Sequence, residues 1–150
     1  MKNFLSIIFL FLFLSACNYQ PIFSTKKSNF SITNFEIKNE NSLTNKIVSA
    51  FTRYRNIEAE RVYSIELSGE KNKEVTAKDS RGNIKTYRMN IIFNFIIYEN
   101  DKMIKTKRIS KNFIFNNNAD KFKLRKYEST IEKNLIDEII KDLTIELYSS

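Results

Sequence analysis

The stretch YRMNIIFNFIIY, residues 87–98, is the most apolar part of the chain beyond its N-terminal segment, and it decides the fold. Successive side chains of a strand point to opposite faces, so every second residue lies on the same side. Six large side chains fall on one side in this way: Tyr87, Met89, Ile91, Phe93, Phe95 and Ile97. The pattern predicts a central strand with one apolar face.

Two further strands are predicted next to this one. Residues 99–102 (ENDK) have the composition of a hairpin turn, and residues 103–115 would form the return strand. Upstream, Tyr63, Ile65 and Leu67 alternate with polar residues, a pattern typical of a strand with one face in water. Together these segments predict three antiparallel strands.

A strand and a helix are predicted before them. Residues 29–38 have strand-like alternation with a phase slip of one residue near Asn34. Residues 39–42 (NENS) include asparagine and serine, which are preferred at the N-terminal cap of a helix. The apolar positions that follow are spaced by three and four, as on one face of a helix: Leu43, Ile47, Ala50, Phe51 and Tyr54.

The C-terminal part of the chain predicts a second, longer helix. Its apolar stripe consists of Tyr127, Ile131, Leu135, Ile139 and Leu143, broadened by Ile136, Ile140 and Leu147. Two helices with one apolar stripe each complement a sheet with one apolar face. The order β-α-β-β-β-α therefore predicts an α+β fold, a two-layer sandwich of a four-stranded, mainly antiparallel sheet covered on one face by two helices.

Residues 70–85, between the second and third predicted strands, are rich in basic side chains. Strand character near residues 75–77 predicts that the flanking strands extend into a long hairpin arm that projects from the sheet. The candidate anion-binding residues on this arm are Lys71, Lys73, Lys78, Arg81 and Lys85. Lysine recognises phosphate as a mobile point charge, and arginine can bind it through two parallel hydrogen bonds. The alternative is a solvated hairpin without a ligand.

The N-terminus has the layout of a secretory signal peptide. Lys2 precedes an unbroken apolar run over residues 4–14, which is shorter than the roughly 20 residues of a membrane-spanning helix. The run ends in Leu14, Ser15, Ala16 and Cys17, which resembles a bacterial lipobox. We therefore expect residues 1–16 to be removed, and a diacylglycerol and an N-acyl chain to be attached to Cys17. The alternative is a buried free cysteine.

The remaining chain has the length of one domain, and its residue types argue against catalysis. The sequence contains no histidine, no tryptophan, two glycines and one cysteine, which is assigned to lipid attachment. Cysteine–histidine, serine–histidine and histidine-ligated metal sites are therefore excluded, and so is a glycine-rich phosphate loop. Acid pairs such as Asp137 and Glu138 have the pattern of a solvated helix face. We expect neither an enzyme nor a bound cofactor or metal.

The charge balance indicates an anionic partner. The chain has 25 lysines and arginines against 17 acids, and only Lys2 is lost with the signal peptide. In a cytosolic protein this excess would point to nucleic acid. For an exported protein, the abundant polyanions are lipid head groups and the phosphorylated sugars of lipopolysaccharide. The richness in isoleucine, asparagine and lysine also fits AT-rich coding sequence, so some of the basic charge can reflect mutational bias.

Taken together, these features resemble the LPS-assembly lipoprotein family LptE, the outer-membrane partner of the β-barrel LptD. The segment Cys17-Asn18-Tyr19-Gln20-Pro21-Ile22-Phe23 is similar to that family's opening, and the helix after the first strand, the hairpin and the long terminal helix fall where the family has them. The resemblance implies residues 1–16 as signal peptide, 17–28 as lipidated tether and 29–150 as one LptE-like domain.

The resemblance also implies a function. The domain would sit in the LptD lumen as a plug, help the barrel to assemble and bind lipopolysaccharide on its way to the outer membrane. Asn18 is not the aspartate that holds lipoproteins in the inner membrane of enteric bacteria, so we expect an outer-membrane anchor with the domain on the periplasmic side. The alternative is a periplasm-facing lipid carrier or transport accessory lipoprotein, which would need its own apolar cavity.

Overall fold

The computed structural model describes residues 29–149. The predictions for the signal peptide 1–16, for the lipobox with Cys17 and for the tether 17–28 lie outside the described residues. The elements are β1 (Phe30–Ile37), α1 (Ser42–Phe51), β2 (Arg61–Lys78), β3 (Ile84–Glu99), β4 (Lys102–Asn116) and α2 (Lys121–Ser149), with a 3-10 turn at Thr52–Tyr54. The predicted α+β fold and the order β-α-β-β-β-α are confirmed.

The four strands form one mixed sheet in the order β1-β2-β3-β4. Strands β2, β3 and β4 pair antiparallel, whereas β1 pairs parallel to β2 because α1 lies between them in the chain and provides the crossover that a parallel pair requires. Ile32 pairs with Tyr63 but Asn34 pairs with Ser64, so Thr33 forms a bulge. This bulge confirms the predicted phase slip.

Local sequence explains how α1 begins. The side-chain oxygen of Asn41 accepts hydrogen bonds from the backbone N–H groups of Leu43 at 2.9 Å and Thr44 at 3.0 Å. In return, the Asn41 backbone N–H donates to the Thr44 hydroxyl at 3.0 Å. This reciprocal pair satisfies backbone donors that the first turn of a helix leaves unpaired.

The turn between β3 and β4 is the predicted hairpin. Asn100 has a φ of 50° and Asp101 a φ of 62°. Asparagine and aspartate tolerate this left-handed region better than other non-glycine residues, and a two-residue turn with both φ values positive matches the twist of the flanking strands.

The core lies between one face of the sheet and the two helices. Phe93 and Phe95 on β3 are fully buried, and so is Ile139 on α2. Most of the other core residues that the sequence predicted at this interface are also buried, whereas Tyr87 and Ile140 are only partly buried. The buried ones are Met89, Ile91, Ile97, Ile131, Leu135 and Leu143. Tyr127, which the sequence placed in the apolar stripe of α2, is half exposed. It lies near the start of the helix, and its ring meets the Phe115 ring edge to face, with 6.0 Å between the ring centres.

Gly69 is needed where β2 passes under Phe93. The two residues are cross-strand partners, and a Cβ atom on Gly69 would lie 2.4 Å from the Phe93 ring. Real Cβ atoms do not approach this closely, so only glycine leaves room for the ring in its present position.

Lysines of β4 form salt bridges with acidic residues of α2. On the β4 side, Lys107 binds Glu146 at 2.7 Å and Lys111 binds Asp142 at 2.7 Å, while Lys105 also pairs with Glu146. Each lysine stem can cover apolar surface while its amine reaches an acid at the margin of the helix.

The hairpin of β2 and β3 is as long as predicted, but it does not project from the sheet. Strand β4 runs alongside it until Asn116, which pairs with Thr86. The start of α2 covers one face of the same region. Only the turn over residues 79–83 extends beyond the neighbouring elements, so most of the predicted arm is part of the sandwich.

Candidate functional site

The turn at the end of the β2–β3 hairpin is built around one aspartate. One carboxylate oxygen of Asp79 accepts from the backbone N–H groups of Arg81 and Asn83, both at 2.9 Å. The other accepts from the Asn83 side-chain amide at 3.1 Å. Gly82 adopts a φ of 85°, a left-handed backbone conformation that glycine tolerates better than other residues. These bonds fix the backbone of the turn that carries Arg81.

The same bonds lower the pKa of Asp79. The side-chain hydrogen bond from Asn83 is the largest cause, followed by the backbone hydrogen bond from Asn83. The carboxylate is therefore ionised at neutral pH, and its oxygens are used within the turn.

The five predicted anion-binding residues divide into two groups, and Lys71 and Lys73 form the first. Both face α2. The Lys71 amine binds Glu132 at 2.6 Å and the Lys73 amine binds Glu128 at 3.0 Å. Lys73 also lies 4.8 Å from the centre of the Tyr87 ring. Both amines pair with carboxylates of α2, of which Glu132 is shared with Lys46, so an anion would compete with these carboxylates.

Lys78, Arg81 and Lys85 form the second group, at the end of the hairpin. All three are exposed, and none of them forms a salt bridge within residues 29–149. They are free to meet an anion from solution. The structure thus places three of the five predicted residues in one accessible region.

Sequence reasoning missed four cations at the start of α2, which lie at the same end of the sheet. The turn before α2 is bound to the hairpin: the backbone N–H of Asn117 donates to the carbonyl of Lys85 at 2.7 Å, and its side chain donates to the carbonyl of Ile84 at 2.9 Å. The four exposed cations are Lys121, Lys123, Arg125 and Lys126. The run KFKLRK over residues 121–126 was the signal that could have revealed them.

These four cations are in an unfavourable position for helix stability. The N-terminus of a helix carries partial positive charge, so cations in the first turns repel it. No acid lies in the first turn of α2 itself. Asp120, just before the helix, accepts from the backbone N–H groups of Phe122 at 2.9 Å and Lys123 at 3.1 Å and thereby caps it. The Asp120 carboxylate, which also pairs with the Lys123 amine at 3.7 Å, offsets part of the positive potential that the helix N-terminus adds to the four side chains.

We call these seven cations the distal basic surface: Lys78, Arg81, Lys85, Lys121, Lys123, Arg125 and Lys126. Phe122, next to them, is 70% exposed. An exposed aromatic ring among cations suits a ligand that has both phosphate groups and apolar chains, since arginine and lysine bind phosphate and the ring offers apolar contact. Residues 29–149 contain no group of three potential metal ligands among cysteine, aspartate and glutamate.

A groove of about 920 Å³ lies between α1 and α2. Ala50, Ile136 and Ile140 provide its apolar part, and polar residues such as Asn45 and Lys133 line the rest. The groove opens to solvent.

In the part of the chain that the structure describes, no helix has the length and apolar character to cross a membrane.

The described domain is similar to solved bacterial lipoproteins. Rare lipoprotein B from Shewanella oneidensis aligns with a TM-score of 0.62 and 13% identity, over 79% of this chain and 95% of that one. A minor lipoprotein from Acinetobacter baumannii aligns with a TM-score of 0.61 and 10% identity, over 79% of this chain and 91% of that one. Lipoprotein B from Nitrosomonas europaea aligns with a TM-score of 0.59 and 8% identity, over 80% and 83%.

No family model matches the chain, and no curated protein matches it significantly in sequence. At such low identity, the likeness to the solved structures concerns the fold and not the activity. The chain has the fold of these three bacterial lipoproteins.

Proposed function

We propose that this chain is an outer-membrane lipoprotein of the LptE type, which forms a plug in the barrel LptD and contributes to barrel assembly and lipopolysaccharide transport. The observation that carries the proposal is the fold shared with bacterial lipoproteins over about four fifths of the chain, and the segment that ends at Cys17 independently resembles a lipobox. Cys17 would carry the lipid, with the domain on the periplasmic side. The proposed role is binding and assembly, without catalysis or a cofactor.

The distal basic surface is the proposed contact with lipopolysaccharide. Lys78, Arg81 and Lys85 form no salt bridge within the described residues, whereas Lys123 pairs with Asp120 at 3.7 Å and Arg125 lies in a pocket with Glu128 and Glu132. Phosphate groups would bind the unpaired amines of Lys78 and Lys85 and the guanidinium groups of Arg81 and Arg125, and acyl chains would contact Phe122. Lys71 and Lys73 would contribute less, because they are paired with Glu132 and Glu128.

The groove between α1 and α2 supports a second candidate, a lipid carrier. Its volume of about 920 Å³ falls within the range of small-molecule sites, about 300 to 1,000 Å³. However, the groove is open to solvent, whereas a carrier must shield acyl chains from water. The plug is therefore the function that we favour.

Binding to immobilised lipopolysaccharide at increasing salt tests the proposal. Replacement of Lys78, Arg81 and Lys85 by glutamine should weaken binding about tenfold or more and reduce its salt dependence, because free cations contribute most. A control variant with Arg55, Lys102 and Lys141 replaced by glutamine loses the same charge elsewhere and should bind as the wild type does. Equal binding by both variants would contradict the assignment and leave the hairpin turn as a solvated surface.

A further inference from the structure

The chain enters the described domain at one end of the sandwich. Strand β1 begins there with Phe30, which pairs with the first residue of β2, and the turn between β3 and β4 lies beside them. Helix α2 ends at the same place, since the Tyr148 ring meets the Phe30 ring edge to face with 5.0 Å between the ring centres. We call this the proximal end, and it consists of residues 29–30, 52–62, 99–104 and 145–149. Residues 17–28 therefore join the domain here, opposite the distal basic surface.

Large apolar side chains are exposed at the proximal end. Met103, at the start of β4, is 57% exposed, and Ile145, near the end of α2, is exposed to the same extent. The full set is Ile57, Val62, Met103, Ile104, Ile145 and Tyr148. Apolar side chains gain from burial at the boundary between acyl chains and head groups, where tyrosine is also enriched. The proximal end thus has side chains that suit the surface of a bilayer.

The loop segments of the proximal end carry equal numbers of positive and negative charges. In residues 53–61 and 99–102, the charged side chains are Arg53, Arg55, Arg61 and Lys102 against Glu58, Glu60, Glu99 and Asp101. Arg61 and Glu99 lie 3.8 Å apart. Such a balanced surface matches the phosphate and amine groups of zwitterionic head groups such as phosphatidylethanolamine, whereas the distal basic surface has an excess of positive charge.

The length of the tether excludes the reverse orientation on a bilayer. Residues 17–28 are 12 residues, and a fully extended chain of this length spans at most about 43 Å. Strand β2 has 18 residues, from Arg61 beside Phe30 to Lys78 next to the hairpin turn, and measures about 55 to 60 Å. If the distal basic surface touched the bilayer with the sheet upright, the proximal end would lie farther from the membrane than a lipid on Cys17 allows.

A pose in which the domain lies flat is also unfavourable. The uncovered face of the sheet has polar side chains in its centre, where Asn94 donates to Ser68 at 3.5 Å and Ser110 donates to Asn90 at 3.0 Å. On the other face, the outer surface of α2 is lined by exposed charges such as those of Lys133, Asp137 and Lys141. Both broad faces would therefore add little apolar contact with a bilayer.

We propose that the proximal end docks on the surface of the phospholipid bilayer that holds the lipid on Cys17. Met103, Ile145 and Tyr148 would enter the boundary between head groups and acyl chains. The proposal rests on the lipid attachment in the function proposed above and describes the lipoprotein before it meets a barrel protein. Because the anchor keeps the domain close to the bilayer, individually weak contacts are enough to orient it. The distal basic surface would then point away from this bilayer, towards ligands that arrive from the aqueous side.

Tryptophan fluorescence can measure which end touches the bilayer, because the sequence contains no tryptophan. The full-length acylated protein is reconstituted into vesicles of phosphatidylethanolamine and phosphatidylglycerol that also contain lipids brominated in their acyl chains, which quench indole at short range. Met103→Trp should lose about half of its emission, since its indole ring would lie at the boundary of the acyl chains. The matched control Phe122→Trp, at an exposed aromatic residue of the distal basic surface, should lose about a tenth or less.

Acidic substitutions test whether apolar contacts hold the proximal end on the bilayer. Ile57→Asp/Ile145→Asp, added to Met103→Trp, should reduce the quenching about threefold, because charge at these positions opposes entry into the bilayer. Phe113→Asp/Ile114→Asp changes two exposed apolar residues towards the other end of β4 and should leave the quenching unchanged. Circular dichroism of each variant checks that the domain is folded.

Several results would overturn the inference and leave the proposed function intact. Equal quenching of Met103→Trp and Phe122→Trp would mean that the domain lies flat, and stronger quenching of Phe122→Trp would place the distal end on the bilayer. Absence of quenching in both variants, while the protein floats with the vesicles, would mean that neither end docks. Undiminished quenching after Ile57→Asp/Ile145→Asp would show proximity without docking. Absence of fatty acid from the purified protein would overturn the lipid attachment at Cys17 and this inference together.

Discussion

At the scale of single residues, the structure explains positions whose partners are distant in the sequence. Lys71 and Lys73 have the sequence pattern of free cations, yet their partners Glu132 and Glu128 lie 61 and 55 residues away. Such pairings depend on how α2 crosses the sheet, which no local pattern encodes. Lys78, Arg81 and Lys85, in contrast, are as accessible as their position in a turn predicts.

Gly69→Ala should lower the free energy of unfolding by about 1 to 3 kcal/mol, as overpacking of a core does. The added methyl group would collide with the Phe93 ring, which lies 2.4 Å from the Cβ position. Combining Gly69→Ala with Phe93→Leu should recover part of the loss relative to Phe93→Leu alone. Urea denaturation measures both effects, and full stability of Gly69→Ala would show that the ring does not occupy this position.

Glu132→Gln should make the free energy of unfolding less dependent on pH in the acid range. Burial raises the pKa of Glu132, but hydrogen bonds from Lys46 and Lys71 outweigh it, so its pKa in the folded protein lies below the ordinary value. The stabilisation from this group is complete above about pH 4.3, the ordinary value of glutamate, and is lost as the pH falls through the lower folded pKa.

At neutral pH, Glu132→Gln should lower the free energy of unfolding by about 1 kcal/mol or less, since the lysine partners Lys46 and Lys71 are about half exposed. Denaturation midpoints of the wild type and the variant should therefore converge in acid. Parallel curves from neutral pH to about pH 3 would contradict this account of Glu132.

At the scale of elements, periodicity predicted the strands and helices well because one face of each is buried. The alternation in β3 and the stripe of α2 correctly identified Phe93, Leu135 and Ile139 as core residues. The parallel pairing of β1 with β2 and the support of the hairpin by β4 were not evident, because strand order depends on long-range contacts. The basic start of α2 was overlooked although its run of cations was visible in the sequence.

Leu135→Ala should cost about 2 to 5 kcal/mol, the usual range for a leucine removed from a packed core. Leu135 is buried in the cluster between α2 and the sheet. Ile145→Ala, on the same helix but 57% exposed, should change stability by about 0.5 kcal/mol or less. Equal effects of the two substitutions in chemical denaturation would mean that the stripe of α2 is assigned to the wrong face.

At the scale of the whole molecule, the surface divides into parts with different proposed partners. The distal basic surface is the proposed contact with phosphorylated amphiphiles, and the sequence before residue 29 contains the proposed lipid attachment at Cys17. The fold could be predicted from one sequence because its signals are local and repeated. The grouping of cations from the hairpin and α2 could not, since it depends on how distant elements meet.

The proposed complex with a barrel protein is tested by purifying the acylated protein from outer membranes under mild detergent conditions and identifying the proteins that co-purify. A large β-barrel protein should be recovered in a stoichiometric complex. Cys17→Ser should leave the chain without fatty acid and strongly reduce that recovery, because the unanchored chain no longer resides in the membrane where the barrel assembles. Recovery of the wild-type lipoprotein from outer membranes without any barrel protein would contradict the central claim.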